Sequence, residues 1–175
     1  LMKKYLEDKN YDALNEYLNN YQKSIPDEHI FFCENSAVNA ILSYFSGQAR
    51  TFGITYTVSA SIPKHISISE TDLSILFGNL LENAIDACNA QSGDDKKIIV
   101  RAKTDNHSLC VTIDNTFSGS LDINQEGHFV SSKHEGLGLG TESIKSIAEK
   151  YGGVCQFEAN NGMFYASVMC FKDHA

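Results

Sequence analysis

Between Leu73 and Ala90 runs LSILFGNLLENAIDACNA, whose apolar residues take up most of a helical circumference and leave one narrow polar arc. At about 100° per residue, Asn79, Glu82, Asn83 and Asp86 fall within that arc, while Leu73, Leu76, Leu80, Leu81, Ala84 and Cys88 occupy much of the rest. The spacing predicts one long helix from about Glu70 to Ala90. Its polar arc is either an ordinary solvated face or a ligand-binding stripe. The asparagines weigh against the first reading, because a solvated face gains from Lys, Glu, Gln or Arg, whereas Asn is a mediocre helix former. An amide oxygen beside carboxylates can hold magnesium, directly or through its water, without enough negative charge to repel a triphosphate.

The rest of the chain supplies a fold around this helix. In YDALNEYLNNYQKSI, Tyr11, Leu14, Leu18, Tyr21 and Ile25 recur at three- and four-residue steps, giving an amphipathic helix that ends before Pro26. LMKKYLED reads as the last turns of a preceding helix, so residues 1–26 form a helical hairpin. Its apolar stripe is covered either by a partner chain in a bundle or by the chain's own domain. A second composition begins after Pro26. NSAVNAILSYFSGQAR is a helix capped by Asn35, ITYTVSASI alternates as a strand, and KIIVRAK and LCVTID are adjacent strands around Asp105. A helix is expected from about Thr141 to Tyr151, stopped by Gly152-Gly153, and VCQFEA and MFYASVMCF close the chain as an antiparallel pair. The stretch from Asn115 to Glu135 lacks periodicity and reads as a loop.

Composition narrows the function. With 175 residues and 42% hydrophobic content, one full domain plus a fragment can be built. A net charge of −8 argues against nonspecific binding to nucleic acid or an anionic membrane, since both need a concentrated positive field. Phosphate charge would have to be met locally, by backbone N–H groups, a metal ion and a lysine. Cys33, Cys88, Cys110, Cys155 and Cys170 are odd in number and widely spread, so they read as reduced thiols of a cytoplasmic protein rather than a disulfide framework.

Glycine-rich chemistry follows in SSKHEGLGLGTESIKSIAEKYGG. Gly136, Gly138 and Gly140, interleaved with Leu137 and Leu139, stand immediately before the Thr141 helix, so backbone N–H groups can approach phosphate oxygens without Cβ interference. Lys133 can add a positive charge. A flexible helix-capping turn is the plainer reading of such a run taken alone. It is not a Walker P-loop, because GxxxxGK[ST] is absent. Between helix and glycine run lies VTIDNTFSG, a strand ending in the polar Asp114 and Asn115.

Taken in order, NLLENAIDAC, DNTFSG and GLGLGTESIKSIAEKYGG resemble the GHKL superfamily of gyrase, heat-shock chaperone, histidine kinase and mismatch-repair ATPases. Closer still, they resemble the ATPase domain of Agr-type quorum-sensing receptor kinases of Gram-positive bacteria. The resemblance implies an α+β fold, a two-layer sandwich in which a mixed sheet is covered on one face by helices. It spans 27–175 as an ATP-binding catalytic domain, with 1–26 the end of a dimerisation and histidine-phosphotransfer hairpin. By the same resemblance, Asn79 lies near the phosphates, Asn83 is the magnesium ligand, and Glu82 is placed to orient the metal's water. Asp86 and Thr141 join the nucleotide site. Asn79 stands where gyrase-like relatives carry a water-activating glutamate, which favours phosphoryl transfer over hydrolysis. In the first glycine box, Asn115 takes the place of the usual adenine-reading Asp, Phe117 that of the first glycine and Gly119 that of the second. The second glycine box covers Gly136, Gly138 and Gly140 in either of two registers.

The implied function is that of a sensor histidine kinase which binds ATP with Mg2+ and passes the γ-phosphate to a histidine upstream of Leu1. Its partners would be a second copy through the N-terminal helices and a response regulator; membrane attachment is expected only through upstream segments. None of His29, His65, His107, His128, His134 and His174 sits in a context resembling the acceptor box. Two alternatives stand beside this reading: a serine kinase of the same fold acting on an anti-sigma antagonist, and a pseudokinase working by dimerisation.

Overall fold

The broad apolar circumference of the Leu73 helix is explained by what surrounds it. In the computed structural model, which describes residues 30–118 and 139–171, this helix is α2 (Glu70–Asn89). Sheet lies beneath it, α1 (Ser36–Thr51) packs along one flank, and α3 (Leu139–Lys150) packs along the other. Three sides are therefore dry, and the polar arc is what remains. Leu73, Leu76, Phe77, Leu80 and Leu81 are buried, whereas Glu82 and Asn83 are exposed. The chain divides into two units, Leu1–Ile30 and Phe31–Ala175, and all these elements belong to the second. The expected hairpin of residues 1–26 lies outside the described residues.

The sheet contains β1 (Thr55–Ser61), β2 (Lys97–Thr104), β3 (Ser108–Thr116), β4 (Val154–Asn160) and β5 (Met163–Phe171), in spatial order β1-β2-β3-β5-β4. β1 and β2 are parallel, joined across α2, and every other pairing is antiparallel. This is the mixed sheet that the sequence predicts. Period-two alternation turns Ile98, Val100, Val111, Ile113, Ala166 and Val168 toward the helices. Asn35 caps α1 as expected, its side chain accepting from Val38 N at 3.1 Å. The β2–β3 turn is held by Asp105, whose Oδ1 accepts from His107 N at 2.8 Å and Ser108 N at 2.7 Å. All five cysteines are free thiols, and burial pushes the Cys170 thiol up to about 11. No helix among the described residues is long and apolar enough to cross a membrane.

One buried polar knot fastens α2 to α3. Ser69 caps α2, its Oγ accepting from Asp72 N at 3.1 Å and donating back to Asp72 Oδ2 at 2.6 Å. The same carboxylate oxygen accepts from Lys150 Nζ at 2.7 Å and from the Tyr151 hydroxyl at 2.6 Å. These donors hold the Asp72 carboxyl down at about 2, the Lys150 ammonium contributing most, then Ser69 and Tyr151. A depressed carboxyl stabilises the fold fully above its unfolded value near 4, and that contribution is lost as pH falls through about 2. Allowing for the 60% exposure of the Lys150 side chain, its size is on the order of 1 to 2 kcal/mol. Urea unfolding at pH 7, 4 and 2 should show this acid loss in the wild type and a flatter profile in Asp72→Asn. Parallel profiles would remove the assignment.

Candidate functional site

The site is assembled on the outer arc of α2. Asn79 is half-buried, and its Nδ2 donates to the carbonyl of Ile75 one turn earlier at 2.8 Å. That bond spends the amide nitrogen on the helix itself and orients Oδ1 outward. Across from it stands Gly140 of α3. A Cβ built on Gly140 would meet Asn79 Oδ1 at 3.1 Å and Asn83 Nδ2 at 3.6 Å. The last glycine of GLGLG thus abuts both asparagines of N-x-x-x-N, although the two motifs are 57 residues apart by the positions 83 and 140.

This contact also corrects the expected start of α3. The sequence places Gly140 in the loop before a helix at Thr141, but α3 begins at Leu139 and Gly140 lies within its first turn. Without a Cβ, that turn can pack against the asparagine side chains. Thr141 is half-buried in the same turn, and Glu142 adds a carboxylate there. Gly119, Lys133, Gly136, Leu137 and Gly138 lie outside the described residues, as does most of the loop expected from Asn115 to Glu135.

The other end of the arc meets the end of β3. Cys88 Sγ donates toward the Thr116 carbonyl at 3.4 Å, which brings the last turn of α2 to the strand terminus. Nine residues separate Asn79 from Cys88, or about 13 Å of helix. Asn83 and the half-buried Asp86 fall between.

β3 continues through Thr116, and along it Asp114 and Asn115 point to opposite faces. Asn115 faces the helices and is 2% exposed, between Ile98 of β2 and Phe164 of β5 in register. Its Nδ2 donates to the Thr116 carbonyl at 3.0 Å, leaving the amide oxygen as the acceptor end. Asp114 lies on the open face, paired with Arg101 at 2.6 Å. Phe117 follows, its N–H donating to Gly162 O at 3.0 Å and its ring set edge-on to Phe164 at 6.5 Å. An aromatic side chain therefore occupies the place expected for a glycine.

Residues 68–170 match the GHKL domain family. The chain belongs to the GHKL domain family. Its match covers α2, β2, β3, α3 and both closing strands, the elements that meet at Gly140 and Asn79. A curated relative, the probable C4-dicarboxylate sensor kinase of Bacillus subtilis (strain 168), is 23% identical over 138 residues. The match covers 74% of this chain but 25% of that protein, so the GHKL chain spans a quarter of its relative's length. Among solved structures, the nucleotide-free catalytic domain of histidine kinase ThkA is 18% identical with a TM-score of 0.62, covering 78% of this chain and 92% of that one. ThkA in complex with the response regulator protein TrrA is 17% identical with a TM-score of 0.57, covering 79% and 41%. These likenesses establish that this GHKL chain has the fold of histidine kinase catalytic domains.

The knot at Asp72 is absent from the sequence reading of the site. Its local half was available: Ser69 three residues before Asp72, ahead of an apolar helix, is a capping signal. The partners Lys150 and Tyr151 are 78 and 79 residues away, which no local signal reaches.

Proposed function

We propose that this chain binds Mg-ATP along the α2 arc, as the catalytic part of a sensor histidine kinase, and gives the γ-phosphoryl group to a histidine on an upstream dimerisation helix. The approach of Gly140 to Asn79 and Asn83 carries the reading, because it joins a phosphate-cradling helix start to amide oxygens able to serve a cation. Asn83 is the proposed magnesium ligand, Asn79 Oδ1 faces the phosphates, and Glu82 orients the metal's water. No cluster of three His, Cys, Asp or Glu capable of holding a metal exists among the described residues. That suits magnesium, which is bound through one or two protein oxygens together with substrate phosphates and water. When bound, the ion neutralises charge on the triphosphate. Catalysis by this chain's own residues is then mostly positioning: the glycine box and the asparagines hold the terminal phosphoryl in line with an imidazole nitrogen, and ADP leaves. An amide at Asn79 provides no base to activate water, which favours transfer over hydrolysis.

In the same proposal the phosphoryl group passes from histidine to a response-regulator aspartate, and the chain is the cytoplasmic part of a dimeric membrane receptor. The Asn115 and Phe117 substitutions in the first glycine box support kinship with the Agr-type subgroup. A pseudokinase reading is favoured by one observation, the Phe117 ring packed on Phe164 where a glycine is usual. Nucleotide titration followed by phosphotransfer separates the two. A chain extended upstream through the acceptor helix should acquire an acid-labile phosphate from ATP, while these 175 residues alone should not. Label on the short chain would move the acceptor to one of its own histidines. No nucleotide bound by either chain would favour the pseudokinase.

At the base end, a freely rotating Asn115 predicts only modest preference for ATP over GTP, widened in Asn115→Asp by about 1 kcal/mol. Its observed setting alters that expectation. With Nδ2 committed to the Thr116 carbonyl, the oxygen already accepts as a carboxylate would. A carboxylate there would set two acceptors about 3 Å apart at a buried site, costing on the order of 1 to 3 kcal/mol. Asn115→Asp should therefore lower stability while changing the ATP to GTP ratio less than about threefold. A much larger ratio change in competition titrations would mean the amide turns over when guanine binds.

A further inference from the structure

α3 is held at both ends, and the two holds differ in kind. At its N-terminal end, Gly140 rests against Asn79 and Asn83. At its C-terminal end, Lys150 and Tyr151 are bound to Asp72, and the Tyr151 hydroxyl also accepts from Ser69 N at 3.1 Å. The Asp72 side chain is only 11% exposed although that of Lys150 is 60% exposed, so the carboxylate is shielded on one side and open to solvent at the ammonium. Further contacts immobilise the same end. Gly152 N donates to Glu149 O and Gly153 N to Ala148 O, a Schellman closure, and Phe171 N of β5 donates to Tyr151 O at 3.0 Å. Between the two ends, buried Ile144, Ile147 and Ala148 fill the interface, so a shift at one end cannot be absorbed by side-chain slack midway.

We infer that Asp72, Lys150 and Tyr151 are positioning residues for the nucleotide site, setting from about 15 Å away where Gly140 stands against the two asparagines. The inference rests on the nucleotide reading above. α2 and α3 run antiparallel here, with Asp72 near the start of α2 tied to the end of α3, and Asn79 further along α2 touching the start of α3. The pair is thus a ladder with one rung of hydrogen bonds and one of close approach, where only a glycine leaves room for the asparagine side chains. A Cβ placed on Gly140 would stand 3.1 Å from Asn79 Oδ1, so the glycine leaves roughly one methyl group of room there, and a displacement of α3 changes the width of that gap. Asn115, which belongs to β3 rather than α3, should not feel it.

Tyr151→Phe removes one hydroxyl and leaves the cap of α2 and the ring packing in place. In the 175-residue chain it should weaken Mg-ATP binding about tenfold while leaving adenosine binding unchanged, since only the phosphate end depends on α3. Lys150→Met should do the same, and Lys150→Arg should restore most of the affinity. Without nucleotide, the Asn79 side-chain amide signal in a nitrogen–proton NMR spectrum should move in Tyr151→Phe. Equal losses for ATP and adenosine, or an unmoved Asn79 signal in a folded variant, would overturn the inference. Should the wild type bind no ATP, the nucleotide reading itself fails, and the Asn79 signal still decides whether the knot reaches Gly140.

Discussion

Gly153→Ala should destabilise the protein by more than about 3 kcal/mol, the largest loss expected from adding a single methyl group anywhere in the described fold. A Cβ at Gly153 would stand 1.8 Å from the Met169 carbonyl oxygen, 2.7 Å from its carbon and 3.0 Å from the Cys170 α-carbon. These are backbone atoms of β5, fixed by pairing with β3 on one side and β4 on the other, so no side chain can give way. The neighbouring Gly152 is a useful control. It has a φ of 61° and serves as the left-handed residue that ends α3, so Gly152→Ala carries backbone strain of about 1 kcal/mol. Chemical denaturation of the two variants should separate them clearly. Similar midpoints would mean that the turn between α3 and β4 does not lie flush on β5.

Those two glycines show where local sequence information stops. As a pair after a helical period they mark a helix end, and α3 does end at Lys150. The requirement for the second glycine comes from Met169, sixteen positions further on in a strand, and leaves no trace near Gly153. The same division runs through the fold. α1, α2 and the five strands were legible because alternation and helical period record burial at each position, and caps such as Asn35 record an end. The pairing of α2 with α3 is recorded by neither. In the sequence Gly140 reads as a loop glycine, because phosphate cradles commonly precede helices, while its place in the first turn of α3 brings it to Asn79, sixty-one positions earlier. Asn115 was legible as an amide in a carboxylate's place, but its hydrogen-bonding sense depends on the Thr116 carbonyl, a rotamer rather than a residue type.

Asn83→Ala should abolish most of the magnesium dependence of ATP binding while leaving the fold intact. The fold argument comes first. Asn83 is exposed on the outer arc of α2, and Ala has the higher helix propensity, so the variant should unfold no earlier than the wild type. The binding argument follows from charge. ATP brings several negative charges to a chain that is itself at −8, and no described cluster of acidic ligands can hold a cation without the nucleotide. In the proposed complex magnesium arrives with the phosphates, and the protein oxygen assigned to it is that of the exposed Asn83 amide. Removing it should lower affinity in saturating magnesium by about ten- to a hundredfold, to near the level without the metal, because a small cation gives up hydration only for well-placed oxygens. Asn79→Ala makes the informative contrast. Its nitrogen is bound to Ile75 O and its oxygen meets the Gly140 turn, so its loss should weaken ATP with and without magnesium alike. Calorimetric titration of both variants, with magnesium and with chelator, measures the two dependences separately. If Asn83→Ala gains as much from magnesium as the wild type does, the ion is held elsewhere, and Glu82, exposed on the same arc, becomes the residue to test.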